Sequence, residues 1–259
     1  MNRLLLLAAL LLSASPVFAD EIRVVSSGGF AVAYKELAPK FEAATGHTLV
    51  AEWGPSMGTT VDAVPQRLAR KEPIDVVIMV GYALGKMVEQ GAVAPADATE
   101  LARSPIAMAV KAGAAQPDIG NVDGLRAALL AAKSVAVSDS ASGVYIMETL
   151  FKKLGIEEQM KGRARMIPAE PVGLVVARGE AELGFQQLSE LKPIPGITVV
   201  GLLPEGAQQV TVFSAGVLAN AVHKEAGRAL VRFLSSPGAA DAVVRSGLEP
   251  IPAKASIRG

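Results

Sequence analysis

The feature that most constrains this chain is a unit that occurs three times: a short strand-like run, a loop of serine, threonine and glycine, and an apolar pattern at helical spacing. The first copy runs from Ile22 to Val25, breaks on Ser26, Ser27, Gly28 and Gly29, and resumes with Phe30, Ala33, Tyr34, Leu37 and Ala38. In the second, a strand Thr48 to Trp53 meets the loop Gly54-Pro-Ser-Met-Gly-Thr-Thr60 and a helix Val61 to Ala69. The third joins Lys133 to Val137 through Ser138-Asp-Ser-Ala-Ser-Gly143 to a helix Val144 to Leu154. Hydroxyls beside the unpaired N–H groups of a helix start make a cradle for an anion. One such loop serves equally as a solvated turn with Ser27 as an ordinary N-cap; the recurrence favours binding.

The alternation continues along the chain. Gly46 is placed to end the first helix; Asp75 to Val80 reads as a strand ending at Gly81 and Tyr82, followed by a helix closed by Gly91. Ser104 to Val110, Arg163 to Ile167, Glu182 to Gln186, Ile197 to Leu202 and Val210 to Val217 read as further strands. Helices are expected over Val122 to Ala131, from Pro168-Ala-Glu-Pro171 to Gly179, over Lys224 to Leu234 and over Pro237 to Ser246, before a loose tail with Pro250 and Pro252. The pattern predicts an α/β fold with parallel sheets covered on both faces. A chain of 259 residues is more than one small sheet needs, so two lobes are expected.

Met1 to Arg3, the apolar run Leu4 to Leu12 and the small residues up to Ala19 read as a secretory leader, leaving about 240 residues from Asp20. No other uncharged apolar run reaches membrane-spanning length. The chain has no Cys, which excludes a disulfide framework and thiol chemistry and points to a self-sufficient core in a bacterial periplasm. Lys and Arg balance Asp and Glu, 25 against 25, without a basic cluster, so nucleic acid is not an expected partner. His47 and His223 lack metal-ligand spacing and read as surface residues.

The stretches Ile22 to Phe30, Ala38-Pro-Lys-Phe-Glu-Ala-Ala-Thr-Gly-His47, Ile74 to Ile78, Ser142-Gly-Val-Tyr-Ile-Met-Glu-Thr-Leu150 and Arg178-Gly-Glu-Ala-Glu-Leu-Gly-Phe185 together resemble the periplasmic molybdate-binding proteins. The resemblance covers almost all of the chain after the leader. It implies a two-lobed type II solute-binding fold, with crossovers near Arg103 to Val110 and Gln209 to Ser214 and a ligand cleft between the lobes. Lobe 1 would comprise residues 20–103 and 214–259, and lobe 2 residues 104–213. Residue by residue, it places the pocket serine of the first loop near Gly28 and Gly29, with Ser26 and Ser27 toward the strand, and that of the second on Ser56. Backbone donors fall on Ser142 and Gly143 and on Ala169 to Pro171; Met57, Gly58, Thr59 and Ser140 belong to the same loops. The family's pocket tyrosine aligns with Gln187, and a pocket with Gln187, Met57 and Tyr82 suits a carbon-skeleton anion better than a compact oxyanion.

A bacterial aconitate isomerase also resembles this family, which keeps two functions open: a passive receptor delivering a carboxylate to an inner-membrane permease, and an isomerase acting on it. The allylic proton shift of the second needs a base but no cofactor or metal. Glu170, at a helix start between two prolines, is the expected base, with Asp139 and Tyr145 behind it. Arg67 stands far from Ser56 along its helix, so the anion is expected to meet helix N-termini, with Lys111 in the hinge region as a supplementary cation. A monomer is expected.

Overall fold

The computed structural model describes residues 19–251. The expected leader, apart from Ala19, and Pro252 of the tail lie outside the described residues.

Strands β1 (Glu21–Ser26), β2 (Thr48–Trp53) and β3 (Val76–Val80) pair in parallel with β1 in the middle. They alternate with helices α1 (Gly28–Thr45), α2 (Val64–Ala69) and α3 (Gly81–Glu89). On α1, Phe30, Ala33, Tyr34, Leu37 and Phe41 share one buried face and pack on Val24 and Ile78 of the sheet. The helix ends at Gly46, whose φ of 78° is the left-handed turn that a side chain resists. β3 is buried at every residue, as a central strand covered on both faces must be.

β4 (Val93–Ser104) is a strand the sequence analysis leaves out. Pro95, Asp97 and Glu100 make its local pattern unlike a strand; it forms because a strand more than a hundred residues later pairs with it antiparallel, across two irregularities of register. Pro105 then carries the chain into β5 (Ile106–Lys111) of a second sheet, so the expected single strand Ser104 to Val110 is divided between two sheets.

That second sheet is built from β5, α4 (Val122–Ala131), β6 (Val135–Ser138) and α5 (Ala141–Tyr145), which runs through a wider turn at 146–150 into α6 (Phe151–Lys153). There follow α7 (Glu157–Met160), β7 (Ala164–Ile167), α8 (Val172–Arg178), β8 (Leu183–Gln187), α9 (Leu188–Leu191) and β9 (Ile197–Leu202). Residues 203–210 return the chain to the first sheet as β10 (Thr211–Leu218), followed by α10 (Lys224–Leu234), α11 (Ala240–Ser246) and the short β11 (Glu249–Pro250). Pro250, expected in a loose tail, thus pairs with Ala102 of β4. The strand orders are β11-β4-β10-β3-β1-β2 and β7-β6-β8-β5-β9.

Both sheets are mixed rather than parallel throughout. The chain changes sheet at the carboxyl ends of the parallel strands, where Ile106 lies opposite Gln187 and Thr211 opposite Ser104. A strand entering a sheet from that edge must run backwards, and β5 and β10 do so. The two crossings are clasped by Gln208, whose side chain accepts from Ile106 N and donates to Ile106 O, both at 2.9 Å. Each sheet has its own apolar core, so the molecule is a two-lobed α/β protein with a cleft between the lobes. His47 and His223, far apart in sequence, both approach Asp20 just ahead of β1. Among the described residues no helix is long and apolar enough to cross a membrane.

Candidate functional site

The cleft has a volume of about 360 Å³ and opens along the carboxyl ends of the parallel strands. Ser27, Gly28 and Gly29 line it from the start of α1, and Trp53 to Ser56 and Thr60 to Asp62 from the loop before α2. The facing wall comes from Ser138 to Ala141, Ala169 to Pro171, Gln186, Gln187 and Glu190, and Val80 and Phe213 complete it. Of the residues expected from the sequence, it brings together Ser27, Gly28, Gly29, Ser56, Ser140, Glu170, Pro171 and Gln187.

Ser27 holds the N-cap position of α1 with extended backbone, yet its hydroxyl caps nothing and is buried without a partner. The first amides of the 18-residue α1 therefore remain available beside a free hydroxyl. A side chain would collide at two positions here. A Cβ on Gly29 would stand 2.1 Å from the Phe213 ring, and one on Gly28 would stand 2.6 Å from the Glu190 carboxylate. Ser26 lies one residue too early: its hydroxyl turns back to Ser27 O at 3.1 Å and is fully buried outside the cleft.

The second loop is folded tightly on itself, since a Cβ on Gly54 would meet Asp62 O at 1.8 Å. Arg67 holds it from below: Nε donates to Asp62 O at 3.0 Å, Nη2 to Asp62 Oδ1 at 3.1 Å, and Nη1 to Glu72 at 2.8 Å and to Glu52. This buried arginine is thus a loop support and not a ligand cation. Ser56 Oγ accepts from Val80 N at 2.9 Å, which leaves its O–H free to donate, and Thr60 Oγ1 is buried without a partner. Four expected residues lie elsewhere. Met57 faces an apolar groove with Met79 and Met87, Gly58 and Thr59 are exposed, and Tyr82 occupies a separate depression beside Glu100 and Val212.

Arg67→Ala should cost about 2 kcal/mol, less than the ~3–5 kcal/mol of a fully buried pair because the partner carboxylates are partly solvated. Urea unfolding and limited proteolysis at 54–62 are the measurements; an unchanged midpoint with an intact loop would contradict the clamp.

In the third loop the resemblance places backbone donors on Ser142 and Gly143, and both fall in the first turn of α5. Ser138 to Ala141 line the cleft, whereas Ser142 is fully buried with its hydroxyl 2.9 Å from Ser138 Oγ, and Gly143 packs against the Ser138 backbone. Asp139 Oδ2 accepts from Ala169 N at 3.2 Å, joining this loop to the one before α8. Glu170 is gripped by both Nη atoms of Arg178, at 2.6 and 3.0 Å, and that guanidinium holds its carboxyl below the usual range. So paired, it is a weak base. Tyr145 donates to Ala207 O at 2.9 Å, and the exposed Lys111 lies against Gly179; neither lines the cleft. Among the described residues no Lys or Arg lines it.

Gln187 keeps one end of its amide on Thr211 Oγ1 at 3.0 Å, while the other end is buried without a partner. Glu190, absent from the sequence reading, follows on α9. Ser189 donates to Gly29 O at 2.8 Å, so α9 is tied to the first turn of α1 and the Glu190 carboxyl is set over Gly28. Burial, with the nearby Asp139 charge adding to it, pushes this carboxyl up to about 7 against the pull of the Gln186 amide. The available signal was Gln186 and Gln187 directly after the apolar Leu183 to Phe185, the same strand-then-polar pattern as the other loops.

Residues 22–249 match a family described as bacterial extracellular solute-binding protein. An aconitate isomerase of Pseudomonas sp is 52% identical over 254 residues, covering 96% of this chain and 97% of its own. Among solved structures, the periplasmic molybdate-binding protein of Azotobacter vinelandii is similar with a TM-score of 0.71 at 20% identity, over 90% of this chain and 100% of that one. A sulfate-binding protein of Mycobacterium tuberculosis gives 0.68 at 17% identity, over 90% and 88%. At such identities the solved structures speak for the fold alone.

Proposed function

We propose that this chain, which belongs to the family of bacterial extracellular solute-binding proteins, binds a small di- or tricarboxylate in its interlobe cleft and isomerises it by an allylic proton shift, with aconitate as the substrate. The likeness to the Pseudomonas aconitate isomerase, over nearly the whole of both chains, carries the choice of reaction. The cleft supports the choice of ligand. Ser27 Oγ, Thr60 Oγ1 and one end of the Gln187 amide are buried polar groups in want of partners, and such groups cost stability until something bonds them. Hydroxyls and the α1 amides supply donors for carboxylates, and the unpartnered Gln187 Oε1 accepts from a hydroxyl or a protonated carboxyl. The expected leader and the extracellular family support a periplasmic location, and we take the protein to act as a monomer.

The test is to mix the purified protein separately with molybdate, citrate, cis-aconitate and trans-aconitate, following melting temperature and the proton NMR of the ligand. A bound acid raises the melting temperature, and conversion interchanges the vinyl and methylene signals of the two aconitates. Ser27→Ala should weaken aconitate binding by about 1.5–3 kcal/mol, the worth of one hydrogen bond to a charged group. Tight molybdate binding with none for the carboxylates would remove the organic-acid reading. Family membership favours one second reading, a receptor feeding an inner-membrane permease, and it would show as binding without conversion.

A further inference from the structure

The cleft contains four carboxylates, and three of them are already engaged. Asp62 is held by Arg67, Glu170 by Arg178, and Asp139 accepts the Ala169 amide. A carboxylate paired with a guanidinium is stabilised in its charged form and takes up a proton reluctantly. Glu190 differs: among the described residues no cation is paired with it, and it lies beside the α1 start where the substrate's own carboxylates would bind. Building on the isomerase reading, we infer that Glu190 is the catalytic residue that carries the proton in the allylic shift, set in place by the bond from Ser189 to Gly29.

The step balances with this one group. Glu190 as carboxylate takes a proton from the substrate methylene; the released C–H pair forms a new double bond as the old one opens toward the far carbon. The carboxylic acid then returns the proton to that carbon, so the double bond has moved one position and Glu190 is again charged. Charge that builds on the conjugated substrate carboxylate falls beside the Ser27 hydroxyl and the first α1 amides, where preorganised donors lower the barrier. A carboxyl that burial raises toward neutrality is matched to both halves of this transfer, which a carboxyl clamped by arginine is not. Of the charged groups that line the cleft with it, Asp139 adds its charge to that of Glu190, while Asp62 and Glu170 are each held by an arginine outside the lining.

The full-length wild type, Glu190→Gln, Glu190→Asp and Glu170→Gln would be assayed with cis- and trans-aconitate, recording kcat and KM against pH, calorimetric binding of trans-aconitate, and deuterium uptake into the methylene in heavy water. Glu190→Gln should still bind trans-aconitate, lose roughly a hundred- to ten-thousand-fold in kcat, and lose deuterium uptake with it. Glu190→Asp should recover part of kcat with the wild-type rising limb in kcat/KM near pH 7. If the wild type converts aconitate and Glu190→Gln does too, or if turnover is lost in Glu170→Gln alone, the assignment to Glu190 is wrong while the isomerase reading stands. A wild type that binds and never converts removes both.

Discussion

Gly143→Ala should lower stability by about 3 kcal/mol or more, which for a protein of this size is roughly 6–12 °C in Tm. A Cβ at this position would stand 1.7 Å from the Ser138 carbonyl oxygen, half an ordinary C···O contact of about 3.3 Å, with the Ser138 carbonyl carbon at 2.7 Å and its amide nitrogen at 3.0 Å. All three are backbone atoms, so no side chain can swing aside. Alanine gains about 1 kcal/mol in helix propensity over glycine, and the collision outweighs it. Relief requires the start of α5 to retreat from β6, taking with it the wall Ser138 to Ala141, so aconitate binding should weaken together with stability. Gly85→Ala is the control: it lies in α3 with nothing within 4 Å, and should be neutral or slightly stabilising. A Gly143→Ala variant that melts with the wild type would show that α5 does not press on β6.

Gly143 also shows where the sequence is legible and where it is not. That the third loop forms a wall of the cleft follows from local pattern, because a strand, a run of serines and a helix are all specified within fifteen or so residues. Which side chains of the loop face the cleft depends on how far α5 sinks against β6, which buries the Ser142 hydroxyl against Ser138 and leaves Ser138 to Ala141 lining the cleft. β4 is invisible for a different reason. Its strand state comes from pairing with β10, a contact across more than a hundred residues, and local propensity at Pro95 and Asp97 argues against it. Glu170 was legible as an acid at the cleft; the Arg178 that engages it stands two turns away, at the far end of α8. Glu190 looks like any acid in the segment Leu188-Ser-Glu-Leu191, and becomes distinctive only when α1, about 160 residues earlier in the chain, folds over it.

Glu190→Gln should stabilise the protein at pH 8 by about 3 kcal/mol, and the gain should vanish toward pH 4.5. The folded carboxyl titrates near 7 and the unfolded one near 4.5, because burial of the charged form is costly. Between those values the folded state binds more protons than the unfolded one, so Glu190's contribution is fully present below about pH 4.5 and is lost as pH rises through about 7. Glutamine keeps the shape and removes the ionisation. The difference between variant and wild type therefore starts near zero in acid, grows between pH 5 and 7, and levels off above. Taking that difference cancels Glu36, Glu72, Asp97, Glu170 and Glu180, whose pairing with arginine or lysine lowers their titration and causes acid-side loss in both proteins. Urea titrations at several pH values give the curve directly. A difference that stays flat from pH 4.5 to 8 would mean that Glu190 ionises as it does in water. A rise with pH in the same range as the limb in kcat/KM would tie the cost of charging this carboxyl to its use: a site that stabilised the carboxylate fully would leave it too weak a base for a carbon acid.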